Sequence, residues 1–273
     1  MSREIGNRIT EGNALMFCGQ IQALYLGDYE TGLELELQTL QFWENITDRL
    51  FPLLRIAQIQ TAMGQYTEAM ATLEMARPLE EKVVFDVGRA GFGLVTVILN
   101  NALGGEQNLR SALQITSQIQ QMAAENLVSR QYHMSAACEA SASHYALARI
   151  LNDEAAWEEH QRRALEFSQK ALELYQEFGF VQIVECTSEE IFFRHGQALA
   201  ANGRDQDAAE FLKRAYKEMM RKHALIPEGD PFRKSFLENI ELHRAIQAAY
   251  SAQFAPGRSK STSKPRKTKK TNS

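Results

Sequence analysis

Apolar residues recur along this chain at the three- and four-residue spacing of a helix face, not at the alternation of a half-buried strand. Leu33, Leu37 and Leu40 fall on one such face, as do Ala69, Leu73 and Ala76, and again Ala208, Leu212, Ala215 and Met219. One run, Leu94-Val95-Thr96-Val97-Ile98-Leu99, is built from strand-favouring residues. It continues without a break into Asn100-Asn101-Ala102-Leu103 and has no visible strand partner, so it predicts a buried helix. Proline agrees: before residue 256 it occurs only at Pro52, Pro78, Pro227 and Pro231, while Leu, Ala, Gln and Glu, all good helix formers, fill the body. The pattern predicts an all-α chain.

The helical segments repeat. Gly27-Asp28-Tyr29-Glu30-Thr31-Gly32, Gly64-Gln65-Tyr66-Thr67-Glu68-Ala69 and Gly203-Arg204-Asp205-Gln206-Asp207-Ala208 each close one helical run and open another. Gly ends the first helix where a positive φ is convenient. The small residue five positions on lets two antiparallel helices approach. Two weaker turns fall near Gly104-Gly105 and Asn152-Asp153.

These units resemble the tetratricopeptide repeat, a helix–turn–helix of roughly 34 residues. Leu53, Ile56, Ala57, Ala69 and Ala76 match its large and small packing positions in the unit turning at Gly64. Phe192, Gly196, Leu199, Ala208 and Ala215 match them in the unit turning at Gly203, where His195 stands in place of the usual Leu. In the first unit Met16 matches, but Gly19 stands at the Leu position. Successive turns are 37 and 41 residues apart from Gly27 to Gly64 to Gly105, and the later intervals are longer still. Long irregular repeats resemble the C-terminal sensor arrays of large bacterial signalling ATPases. The resemblance implies a right-handed α-solenoid of about five helix pairs over residues 13–250, with a last repeat near 187–220 and a capping helix near 232–250. Residues 1–12 would be an extension or partial helix, and 251–273 a disordered basic tail. No GxxxxGK[ST] phosphate loop occurs, so ATPase chemistry does not carry over; an ATPase or kinase domain would belong to a parent protein.

Charge divides the chain. Residues 257–273 hold seven Lys/Arg and no acid: Arg258, Lys260, Lys264, Arg266, Lys267, Lys269 and Lys270. The other 23 of the 30 Lys/Arg lie before them with all 34 Asp/Glu, so the body carries −11 and the tail +7. The tail is too polar to fold alone. It could hold nucleic acid by counterion release, or fold back on the acidic body, but it lacks aromatic residues for base stacking.

Reactive chemistry is sparse. Cys18, Cys138 and Cys186 are widely separated in sequence and form no CxxC pair. With no signal-peptide layout at the N-terminus, a reduced cytoplasmic setting is expected. The longest apolar stretch is about half the roughly 20 residues of a membrane helix, so no membrane span is expected. The six histidines show no zinc spacing, which predicts no metal site and no cofactor. His195 reads as a packed core histidine and His160 as solvated. The glycines from Gly88 to Gly93 read as close packing, not as a phosphate cradle. Adjacent acids such as Glu189-Glu190 point about 100° apart on a helix and cannot act on one bond, so no enzymatic activity is expected.

What remains is binding. The first helix of each pair would line a concave groove, with Phe17, Ile21 and Tyr25 from the first unit, Leu54 and Gln58 from the second, and Glu190, Phe193 and Gln197 from the last. This mixture suits a protein or peptide partner in an interaction or scaffold module, or a small inducer held on the concave face. Phe17, Ile21 and Tyr25 read either as a ligand patch or as a surface covered by residues 1–12 or an upstream domain.

Overall fold

The computed structural model describes residues 8–43, 47–83, 86–125 and 130–254. Among these the chain forms twelve α-helices and no strand. Helix α1 (Arg8–Gln20) runs on through a π-helical stretch, Ile21–Tyr25. There follow α2 (Tyr29–Thr39), α3 (Leu50–Ala62), α4 (Tyr66–Glu80), α5 (Asp86–Leu103), α6 (Gly105–Glu125), α7 (Arg130–Ile150) and α8 (Glu154–Glu177). The chain closes with α9 (Ser188–Ala201), α10 (Asp205–His223), α11 (Phe232–Glu238) and α12 (Glu241–Phe254). No described helix is long and apolar enough to cross a membrane.

Each helix packs on the next, and α3, α5 and α7 also pack each on the following odd-numbered helix. This is an α-solenoid: five helix pairs in two layers, followed by the short pair α11–α12. The turn glycines behave as their positions require. Gly27, Gly64 and Gly203 have φ of +75°, +76° and +72°, a region costly for any residue with a Cβ. Asp28 and Asp153 cap α2 and α8 by accepting from the backbone N–H of Thr31 and Ala156. The valine-rich run lies inside α5, with Leu94, Val95, Val97 and Leu99 buried. The neighbouring glycines are packing positions: a Cβ on Gly88 would stand 2.7 Å from Val83, and one on Gly93 would stand 3.2 Å from Ile115 and Ile119.

Two expectations are corrected. Helix α2 does not bury Leu33, Leu37 and Leu40 as a face: Leu37 is exposed, and the inward positions are Gly32, Glu36 and Thr39. The cause is backbone approach. A Cβ on Gly32 would lie 2.5 Å from that of Ala23, so Gly32 must face α1 and the rest of the helix turns with it. The single capping helix near 232–250 is two helices, α11 and α12, and the second reaches Phe254, so residues 251–254 are helical. The break at Asn239 frees its side chain, whose Nδ2 donates to the Gly27 carbonyl at 2.8 Å. Ser235 Oγ donates to the Leu26 carbonyl at 2.6 Å. Helix α12 then folds back on α10, with Tyr216 and Tyr250 stacked 3.9 Å apart. These bonds join positions more than 200 residues apart and close the array: its last unit sits on its first turn. The tail residues Arg258, Lys260, Lys264, Arg266, Lys267, Lys269 and Lys270 lie outside the described residues.

Candidate functional site

Closure turns the concave face into a central cavity of about 480 Å³. Its wall takes residues from the odd-numbered helices in turn: Leu24 and Tyr25, then Gln58 and Thr61, Ile98 and Asn101, Glu139 and Tyr145, and Glu190, Phe193, Arg194 and Gln197. Phe236, Ile240 and His243 of the closing pair complete it. A second hollow of about 400 Å³ adjoins it between α9, α10 and α12 and shares Tyr145, Phe193 and Gln197.

Of the residues expected on the groove, Tyr25, Gln58, Glu190, Phe193 and Gln197 meet in this cavity. Leu54 does not. It is buried at the α3–α5 contact, 3.5 Å from where a Cβ on Gly91 would be. Phe17 and Ile21 lie outside the cavity and are 56 % and 48 % exposed, so within the described residues nothing covers them. The reason is positional. The cavity collects mainly the later turns of α1, α3 and α5, whereas Phe17 and Leu54 sit a turn or more earlier.

Three charged groups surround the cavity. In the first, Arg55 pairs with Glu185 at 2.5 Å and donates to Gln58 Oε1 at 3.0 Å. With its amide oxygen turned toward Arg55, Gln20 also accepts from the guanidinium, at 2.8–3.2 Å. Burial, and then the charges of Glu185 and Glu189, push the adjacent Tyr25 hydroxyl up to about 12. In the second, Glu189 is buried between Lys222 and His243 Nε2, the latter 3.2 Å away. Burial alone would raise this carboxyl, but the hydrogen bond from His243 and the ammonium of Lys222 bring it down to about 2. Lys222 also donates to Gln182 Oε1 at 2.6 Å.

The third group is built on Arg194. Glu190 pairs with it at 3.4 Å, and Gln197 Oε1 accepts from it at 3.5 Å. Glu139 of α7 acts on the same guanidinium and accepts from Asn101 Nδ2 at 2.6 Å, while Ser143 donates to Asn101 Oδ1 at 2.6 Å. Burial lifts Glu190 to about 7 against the pull of Arg194, and the Glu139 charge adds to the rise; burial raises Glu139 as well. Two carboxylates on separate helices therefore do face a common region. Adjacency of Glu189 and Glu190 hid this, because they serve different groups: one turns toward Lys222, the other toward α7.

Other polar residues divide between packing and pairing. His195 is buried, 2.9 Å from Ser168 Oγ and edge-on to Phe211, and burial lowers it to about 4. His160 is not freely solvated: its Nδ1 lies 2.7 Å from His144 Nδ1, and burial first, then the His160 charge, holds His144 near 4. The thiols of Cys138 and Cys186, 48 positions apart, are both buried and hydrogen-bonded to each other. Among the described residues no three His, Cys, Asp or Glu side chains cluster to hold a metal ion. What the cavity offers chemically is a shielded space in which charged groups interact more strongly than they would in water. No protein-family model matches the chain, and no curated protein matches it in sequence.

Proposed function

We propose that the chain is a non-catalytic sensor array of tetratricopeptide type whose central cavity binds a small ligand. The observation that carries this reading is closure. With Ser235 and Asn239 bonded to Leu26 and Gly27, the concave face becomes a half-open cavity of ligand size, shorter than a groove for a long peptide. Its walls come from both ends of the array, so an occupant would tie the first unit to the last, and binding would be transmitted as closure to whatever is attached. In a parent protein that attachment would be an ATPase or kinase domain of the bacterial signalling type, in the cytoplasm.

A thermal-shift screen of metabolites against the full chain tests the reading. A compound that raises the melting temperature in the native chain, and loses its effect in Phe193→Ala and Gln197→Ala, is the expected result. Stabilisation that survives both substitutions would place binding elsewhere.

A second reading, a scaffold for a protein partner, has one observation in its favour: Phe17 and Ile21 stand exposed together on the first helix. Its test is a pull-down of a candidate ATPase domain with the native chain and with Phe17→Ser/Ile21→Ser. Equal recovery by both removes this surface as the contact.

A further inference from the structure

The charge around the cavity bears on what would occupy it. Glu185 is answered by Arg55, and Glu189 by Lys222 and His243. Glu139 and Glu190, by contrast, share the single guanidinium of Arg194, and the other polar partner of Glu139 is the neutral amide of Asn101. This third group sets two carboxylates against one guanidinium, and the other base on the cavity wall, Arg149, lies over the Tyr145 ring at 5.7 Å. A carboxylate removed from water without a counter-charge is costly, so burial drives the pair toward holding a proton.

The surroundings suit one kind of missing charge. Phe193 presents an aromatic ring to the same cavity. Carboxylates beside an aromatic ring match an organic ammonium: the charge meets the carboxylates and the carbon skeleton lies on the ring. A bare divalent ion would need several oxygen ligands converging at one point, and the described residues hold no such cluster.

We infer that the central cavity binds a small organic cation, a protonated amine placed against the Glu139–Glu190 pair with its apolar part on Phe193. This rests on the cavity being a ligand site at all, and the test separates the two claims. The full chain is assayed at pH 7 by thermal shift and calorimetry against phenethylamine and 4-phenylbutylamine, the alcohols that replace each amine by hydroxyl, and the matching carboxylates. Amines are expected to raise the melting temperature, with alcohols and carboxylates inert at the same millimolar concentration. Glu139→Gln and Glu190→Gln keep side-chain volume and should weaken amine binding at least tenfold. Glu74→Gln, in an exposed pair with Arg77 remote from the cavity, should leave it unchanged. If a Gln variant does not fold, Phe193→Leu keeps apolar bulk, removes the ring and should weaken binding by a similar factor. Alcohols or carboxylates that bind as well as the amines, or amine binding that survives these substitutions, overturn the cation assignment and leave the ligand site standing. Failure of every compound in all three classes removes both.

Discussion

Glu36 gives the sharpest test of the physical reading. It sits in the middle of α2 with no exposed surface, and neither carboxyl oxygen has a hydrogen-bond partner. Arg55 is near enough to act on it, but that guanidinium is already taken by Glu185, Gln58 and Gln20. Burial therefore dominates and raises the carboxyl from an ordinary 4.5 to about 8, with Arg55 opposing. The sign follows directly. Between pH 4.5 and 8 the folded chain holds a proton that the unfolded chain has released, so stability falls as pH rises through this window and levels off above it. One pH unit is worth about 1.4 kcal/mol, so by pH 7 the loss is on the order of 3 kcal/mol, a large share of the ~5–15 kcal/mol that holds a typical domain together.

Glu36→Gln removes the titration while keeping shape. Urea unfolding of the native chain and the variant, followed by far-UV circular dichroism at pH 5, 6, 7 and 8, reads the difference directly and cancels every other titrating group. The variant should match the native chain to within about 1 kcal/mol at pH 5 and exceed it by about 3 kcal/mol at pH 7. A gap that does not change with pH would refute the reasoning, as would a variant less stable at pH 7: either result means that the carboxylate is accommodated in ionised form.

Other perturbations probe other contacts. Lys222→Met leaves Glu189 buried with His243 as its remaining hydrogen-bond partner, and should cost about 3–5 kcal/mol in urea unfolding; a loss under about 1 kcal/mol would mean that the pair contributes little. Gly27→Ala places a Cβ 2.6 Å from the Ser235 carbonyl oxygen at a φ of +75°, so the array should open where its ends meet. Hydrogen exchange should then speed up in Phe232–Glu238 while α5 and α7 keep their protection; uniform loss of protection would contradict a local closure. Truncation after Pro256 should abolish any salt-sensitive retention on DNA or RNA, and retention that persists would exclude the basic tail as its source.

The solenoid was legible because its determinants are local. A glycine that must take a positive φ, a small residue where helices cross and an apolar stripe each leave a mark at fixed spacing, and Gly64 with Ala69 and Ala76 is enough to set one pair. The same logic failed at α2. There Gly32, not the leucines, decides which side faces α1, and the apolar pattern is blind to a backbone that must come close. The break at Asn239 was hidden for a related reason. Its partner is the Gly27 carbonyl, and nothing near Asn239 in sequence announces a contact with the other end of the chain.

The cavity was half legible. Tyr25, Gln58, Glu190, Phe193 and Gln197 follow from the repeat register, since the same helical positions point inward in each well-formed unit. Asn101, Glu139 and Tyr145 belong to the two units whose turns are degraded, so no register reached them, yet α5 and α7 form the middle of the wall. Charge was the deeper obstacle. On the sequence Glu139 and Arg194 are ordinary members of polar helix faces and Glu190 is one groove position among several; only the stacking of α7 on α9 brings two acids to one base. Part of the body's acidic total of −11 is enclosed. Glu185 and Glu189 have found bases, and the acids that remain unbalanced, Glu36 and the Glu139–Glu190 pair, differ in a way that matters. Glu36 is sealed between helices with no space beside it, so its charge can only be lost to a proton. Glu139 and Glu190 border an open volume, so theirs can also be met from outside, and that difference separates a stability element from the proposed binding site.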